Sequence, residues 1–250
     1  MMKKYSVIFL FSIICNANAF FNDTIKIADP PFGDEVKIEI TKSTKWNASP
    51  TIIVLHGCDG LRPHYQKWGI VINNWGYNAV FPDSFSNRGP SNICMRPGSV
   101  STKQRNIDVS AVAEWVSTQK WHKGKIGVIG FSHGGWTILR ASNNPLTDKI
   151  SAMVAYYPWC DVELGMPKVP VQIHIGLTDE WTPISRCTPI KNAYDFYSYE
   201  NTTHSFDIDV PPRKYKSSFG EQYLEHNPVT AKQAEQRSKE FFKKYIGVEE

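Results

Sequence analysis

The chain alternates between short, continuously apolar runs and longer stretches in which apolar residues recur at helical spacing. Thr51 to Leu55, Tyr77 to Phe81, Ile126 to Phe131, Ser151 to Tyr157 and Val169 to Ile175 are rich in β-branched and aromatic residues, which predicts buried strands, and Tyr194 to Tyr199 reads as a last strand. Between them, His64 to Asn74, Ser101 to Gln119 and the chain from Trp136 to Ala141 read as helices, and Val229 to Tyr245 closes the chain as another. In Ser101 to Gln119 the residues Val109, Val112, Ala113 and Val116 fall on one face, and Ser101 is placed to cap the first turn. Within Glu35 to Thr41, Val36, Ile38 and Ile40 alternate with polar residues, the pattern of a half-exposed edge strand; the rest of Phe20 to Ser49 is polar, Pro-rich and turn-like. Buried strands alternating with amphipathic helices imply an α/β fold. Its sheet is mostly parallel with helices on both faces, and functional groups gather at the carboxyl ends of the strands. About a dozen residues separate the strands that end at Tyr157 and begin at Val169, room for a connecting loop and not for a large cap domain. The stretch Pro82 to Val100, with Arg88, Cys94 and Arg96, is a long loop of the kind that often serves function.

At 41% hydrophobic and 21% charged residues, the composition suits one domain over residues 20–250 and excludes a disordered chain. Residues 1–19 have the layout of a secretory signal: Lys3 and Lys4, the apolar run Tyr5 to Cys15, then the small-residue site Ala17-Asn18-Ala19. The mature chain is expected from Phe20, periplasmic or secreted, with no stable membrane anchor, because the apolar run is short for a bilayer span. Loss of Lys3 and Lys4 takes the formal charge from +4 to +2, which gives no reason to expect a nucleic-acid partner. Cys58, Cys94, Cys160 and Cys187 remain, and an even count in an exported chain favours disulfides, with three pairings open. There is no C-x-x-C and no histidine pair at ligand spacing, so neither a metal nor a cofactor is expected.

The apolar run Ile126 to Phe131 ends in Gly130-Phe131-Ser132-His133-Gly134-Gly135, a glycine-flanked serine between a strand and a helix. This is the setting of a nucleophile elbow, in which the serine is strained and the glycines leave room for the neighbouring strand and helix. A serine hydroxyl is a poor nucleophile at neutral pH and needs a base, which in turn needs a partner to fix its tautomer. Asp179 follows the strand Val169 to Ile175 and His204 follows the strand Tyr194 to Tyr199, giving the chain order serine, acid, histidine of the α/β-hydrolase arrangement. Asp161 is the rival acid and Glu180 is adjacent to Asp179. Backbone N–H groups of Cys58 and His133 are the expected oxyanion donors. His56 and His133 are expected to shape the loop and the elbow. His64, Arg88, Trp159 and Trp181 are candidates for the substrate pocket, with Arg88 or Arg96 able to meet an acidic group.

These residues resemble the dienelactone hydrolase family, in particular its exported bacterial members. The landmarks are His56-Gly57-Cys58-Asp59-Gly60, Pro82-Asp83-Ser84-Phe85 with Arg88-Gly89, the elbow Gly130 to Gly135, Asp179-Glu180-Trp181-Thr182-Pro183 and His204-Ser205-Phe206. The resemblance implies an α/β-hydrolase fold with an eight-stranded sheet, no metal, and a triad of Ser132, Asp179 and His204. It also implies strand neighbours that favour joining Cys58 to Cys94 and Cys160 to Cys187. Dienelactone hydrolases proper use a cysteine nucleophile, and Ser132 in its place favours a serine esterase or related acyl hydrolase acting on a small ester or lactone. A serine peptidase of prolyl-peptidase type and a catalytically silent binding protein on the same scaffold are the alternatives. Oligomeric state is not legible.

Overall fold

The computed structural model of the protein describes residues 21–26, 35–44, 48–161 and 165–247. The expected signal segment 1–19 lies outside the described residues. Eight strands form one sheet: β1 (Phe21–Lys26), β2 (Glu35–Thr41), β3 (Ser49–Leu55), β4 (Asn78–Asp83), β5 (His122–Phe131), β6 (Ile150–Tyr156), β7 (Val171–Gly176) and β8 (Asp195–Tyr199). Their order is β1-β2-β4-β3-β5-β6-β7-β8; β2 runs antiparallel to both of its neighbours, β1 and β4, and the remaining pairs are parallel. The helices are α1 (His64–Trp75), α2 (Thr102–Ser117), α3 (His133–Asn143), the single turn α4 (Ile184–Cys187) and α5 (Pro228–Ile246). A separate hairpin, β9 (Arg213–Ser217) and β10 (Gly220–Leu224), stands outside the main sheet.

Burial on both faces follows from the pleat. Along β3, Ile53 and Leu55 join the core under α2 and α3, whereas Ile52 and Val54 join the core under α1 and α5. Along β5, Ile126 and Val128 go to the first core, Ile129 and Phe131 to the second. Successive side chains of a strand point to opposite faces, so a strand covered on both reads as a continuous apolar run. Helix α2 begins in a capping box: Ser101 Oγ accepts from the Gln104 N–H at 3.2 Å and Gln104 Oε1 accepts from the Ser101 N–H at 2.8 Å.

The differences from the sequence reading have physical causes. β2 keeps its alternating burial but is second from the edge, because β1 pairs along it from Phe21 to Lys26. A short polar strand such as Phe-Asn-Asp-Thr-Ile-Lys gains its stability from pairing and gives little sequence signal. β5 starts at His122, which pairs with Ser49, and its first four residues are exposed or half-buried, so they write no apolar run. Helix α3 begins at His133, directly after Ser132. The loop from Ser84 to Val100 contains two single 3-10 turns, Ser86–Arg88 and Pro97–Ser99.

Candidate active site

Ser132 follows β5 with φ 51° and ψ −112°, a backbone conformation strained for an L side chain. The elbow tolerates no side chain beside it: a Cβ on Gly134 would lie 2.3 Å from Leu55 O, and one on Gly130 would lie 2.7 Å from the Gly134 carbonyl carbon. The Ser132 N–H donates to Tyr156 O and the Trp136 N–H to Ser132 O, so the turn is bonded on both sides.

Ser132 Oγ lies 2.9 Å from His204 Nε2, and His204 Nδ1 lies 2.8 Å from Asp179 Oδ2. Asp179 Oδ1 accepts the backbone N–H groups of Trp181 and Thr182 at 2.9 and 2.8 Å, and Thr182 Oγ1 donates to Oδ2 at 2.8 Å. Four donors thus fix the carboxylate. The His204 ring lies between Tyr157 and Trp181, with centroids at 4.5 and 4.8 Å, and is only 2% exposed. Asp161 faces elsewhere: its Oδ2 accepts from Trp136 Nε1 at 2.6 Å and from Arg140 Nε at 2.7 Å. Glu180 is exposed.

The loop after β3 runs beside the serine. The Gly57 N–H donates to Tyr65 Oη at 2.6 Å, while neither the Cys58 nor the His133 N–H donates to another group among the described residues. Cys58 is held from two directions, its carbonyl accepting from the Ile93 N–H at 2.7 Å and its sulfur bonded to Cys94. A second disulfide joins Cys160 to Cys187. Under this loop Arg105 is fully buried, donating to His56 O at 2.8 Å and to His133 Nδ1 at 3.0 Å. That bond leaves the His133 proton on Nε2, which donates to Pro97 O at 3.1 Å. Burial and then the Arg105 charge pull His133 down to about 3, and the same two causes hold His56 well below the usual histidine range. Both rings are neutral structural groups, as their loop and elbow positions suggest.

Two lobes meet at Ser132. The polar lobe, about 30 Å³, is lined by Gly57, Asp59, Tyr65, His204 and Arg213 among others. The apolar lobe, about 160 Å³, is lined by Trp136, Trp159, Trp181 and Phe219 together with the Cys58 and Cys94 pair. Of the residues expected in the pocket, Trp159 and Trp181 are there. Arg88 is not: its guanidinium forms a two-pronged ion pair with buried Asp108, both contacts at 2.7 Å. His64 lines neither lobe; its ring packs against Tyr65 at 4.0 Å, and burial followed by nearby Arg213 lowers it to about 4. Arg213, Tyr215 and Phe219 come from the β9–β10 hairpin, whose strands are too charged and short to register as an apolar run. Their one signal is an alternation, Tyr215 and Ser217 against Gln222 and Leu224. Trp136, in the first turn of α3, also lines the apolar lobe, and the sequence carries no signal for it because helical spacing does not tell what the first turn of that helix faces.

A strained serine between a parallel strand and a helix, bonded through histidine to a carboxylate, defines an α/β hydrolase. The dienelactone hydrolase family model matches residues 39–246, and the chain belongs to that family of ester-bond hydrolases. A Klebsiella pneumoniae subsp. pneumoniae MGH 78578 protein described as a dienelactone hydrolase is similar in structure, with a TM-score of 0.73 and 20% identity over 91% of this chain and 100% of that one. A dienelactone hydrolase-like promiscuous phosphotriesterase from metagenomic libraries gives 0.70 and 15% over 92% and 100%. An esterase of Pyrococcus furiosus gives 0.67 and 17% over 92% and 94%. No curated protein matches the chain.

Proposed function

We propose that the protein is an exported serine hydrolase that cleaves small carboxylic esters or lactones through an acyl-enzyme on Ser132. The observation that carries this reading is the relay from Ser132 Oγ through His204 to Asp179, at 2.9 and 2.8 Å, on a strained elbow. Ser132 Oγ attacks the acyl carbon while His204 Nε2 takes its proton. Asp179 holds the Nδ1 proton and stabilises the imidazolium. The tetrahedral oxyanion accepts from the N–H groups of Cys58 and His133, which have no other acceptor among the described residues. His204 returns the proton to the departing alcohol. It then activates the water that releases the acid.

The two disulfides fit an oxidising compartment, and no helix among the described residues is long and apolar enough to cross a membrane. Together with the sequence of residues 1–19 they support export. Ser132→Ala tests the reading: hydrolysis of ethyl propanoate, followed by acid release, should drop on the order of 10⁴-fold or more while the far-UV spectrum stays native. Hydrolysis retained by that variant overturns it.

A further inference from the structure

The apolar lobe is built as a preorganised aromatic box. Trp136 is fixed by its indole N–H to Asp161 at 2.6 Å and lies under the Arg140 guanidinium. Trp159 stacks with Phe219 at 5.1 Å and 20°, and the Arg186 guanidinium lies 3.9 Å from its ring centroid. The Cys160–Cys187 disulfide joins the residue after Trp159 to the residue after Arg186, which fixes that stack at its base. Trp181 stacks on Tyr215 at 5.3 Å and 29°. The hairpin that brings Phe219 is itself tied down, by the Ser218 N–H to Cys94 O at 3.1 Å and by Asn92 Nδ2 to Tyr215 Oη at 3.0 Å. Each aromatic wall therefore has its own support, and little side-chain freedom is left to lose on binding.

Size and position identify the occupant. A cavity of about 150 Å³ lined by apolar side chains is known to accept benzene, and this lobe measures about 160 Å³. It borders Ser132 and His133 but not His204, which lines the polar lobe instead. Because His204 protonates the leaving oxygen, the alcohol must leave on the polar side. The apolar lobe therefore receives the acyl chain. Phe219, 54% exposed, forms part of the outer wall of this lobe.

We infer that the substrates are esters of aryl-bearing carboxylic acids, with the ring seated among Trp136, Trp159, Trp181 and Phe219. The inference rests on the ester-hydrolase reading above. Its test compares ethyl 3-phenylpropanoate with ethyl propanoate, which share leaving group and carbonyl chemistry and differ by the ring. The expected kcat/KM ratio is about 10- to 100-fold in favour of the phenyl ester, the burial of one ring in the transition state. Trp159→Ala is expected to reduce that ratio several-fold. Turnover of both esters at a ratio near one overturns the aryl pocket and leaves the hydrolase intact. A preference for 2-phenylethyl propanoate over both overturns the acyl-side assignment. Hydrolysis of neither, or hydrolysis that survives Ser132→Ala, overturns the hydrolase reading itself.

Discussion

Beneath the Gly57–Cys58 loop lies a guanidinium with no solvent exposure, and its surroundings explain why it is there. Arg105 donates to His56 O and His133 Nδ1, so one cation holds the carbonyl two residues before one proposed oxyanion donor and the side chain of the other. Burial lowers its pKa to about 10, and the nearby Asp108 offsets part of that cost, so it stays charged at neutral pH. A buried charge is retained only where it is well bonded, and here the bonds converge on the segments that would hold the oxyanion. Arg105 is thus a positioning residue in the proposed mechanism. Arg105→Met should lower kcat about 10- to 100-fold with KM little changed, since small displacements of oxyanion donors are costly in the transition state. Arg105→Lys should restore part of kcat. Steady-state kinetics decide it: a change confined to KM, or none, removes that role.

At the scale of elements, the disulfides act where the parallel sheet alone cannot. Cys58 and Cys94 are 36 residues apart, and with Phe85, Ile93, Val100, Trp181 and Leu224 they form a small apolar core above the carboxyl ends of the strands. Loops are otherwise the least stable part of such a fold. Replacing both cysteines by serine should cost about 3–4 kcal/mol in denaturant unfolding, the chain-entropy value for a loop of that length. It should also lower kcat as the Cys58 N–H loses its fixed direction. Equal unfolding free energies for the two proteins would contradict this.

The same elements show what could be read in advance. Five buried parallel strands and the main helices were legible because burial on both faces writes a continuous apolar run, the edge strand β8 because its aromatic residues mark it although only Tyr199 is buried, and the elbow because only glycine fits at 130 and 134. The order of Ser132, Asp179 and His204 was legible too, since each follows a strand that could be recognised. The hairpin was not, because Lys214, Lys216, Glu221 and Tyr223 are exposed while Tyr215 and Leu224 pack on the loop core. With it went the pocket residues Arg213, Tyr215 and Phe219. Arg88 shows the converse limit: a loop arginine looks available in sequence until the fold brings Asp108 from α2 to its guanidinium.

Across the whole molecule, neutral buried histidines set the response to acid. Burial pulls His133 and His174 down to about 3, against 6.5 for the unfolded chain. The unfolded state therefore binds more protons between those values, and the stability these groups contribute is complete above pH 6.5 and lost as pH falls toward 3. Each ring weakens folding by up to about 1.4 kcal/mol per pH unit in that window. Thermal melts should show Tm falling steadily from pH 7 to pH 4. A flat Tm over that range contradicts the burial of neutral rings. The central claim concerns one atom of the folded chain, Ser132 Oγ. Treating the intact protein with a fluorophosphonate and mapping its peptides by mass tests that atom directly. The account predicts a single adduct, on Ser132, lost in His204→Ala; an unmodified Ser132, or an adduct that persists without His204, contradicts it.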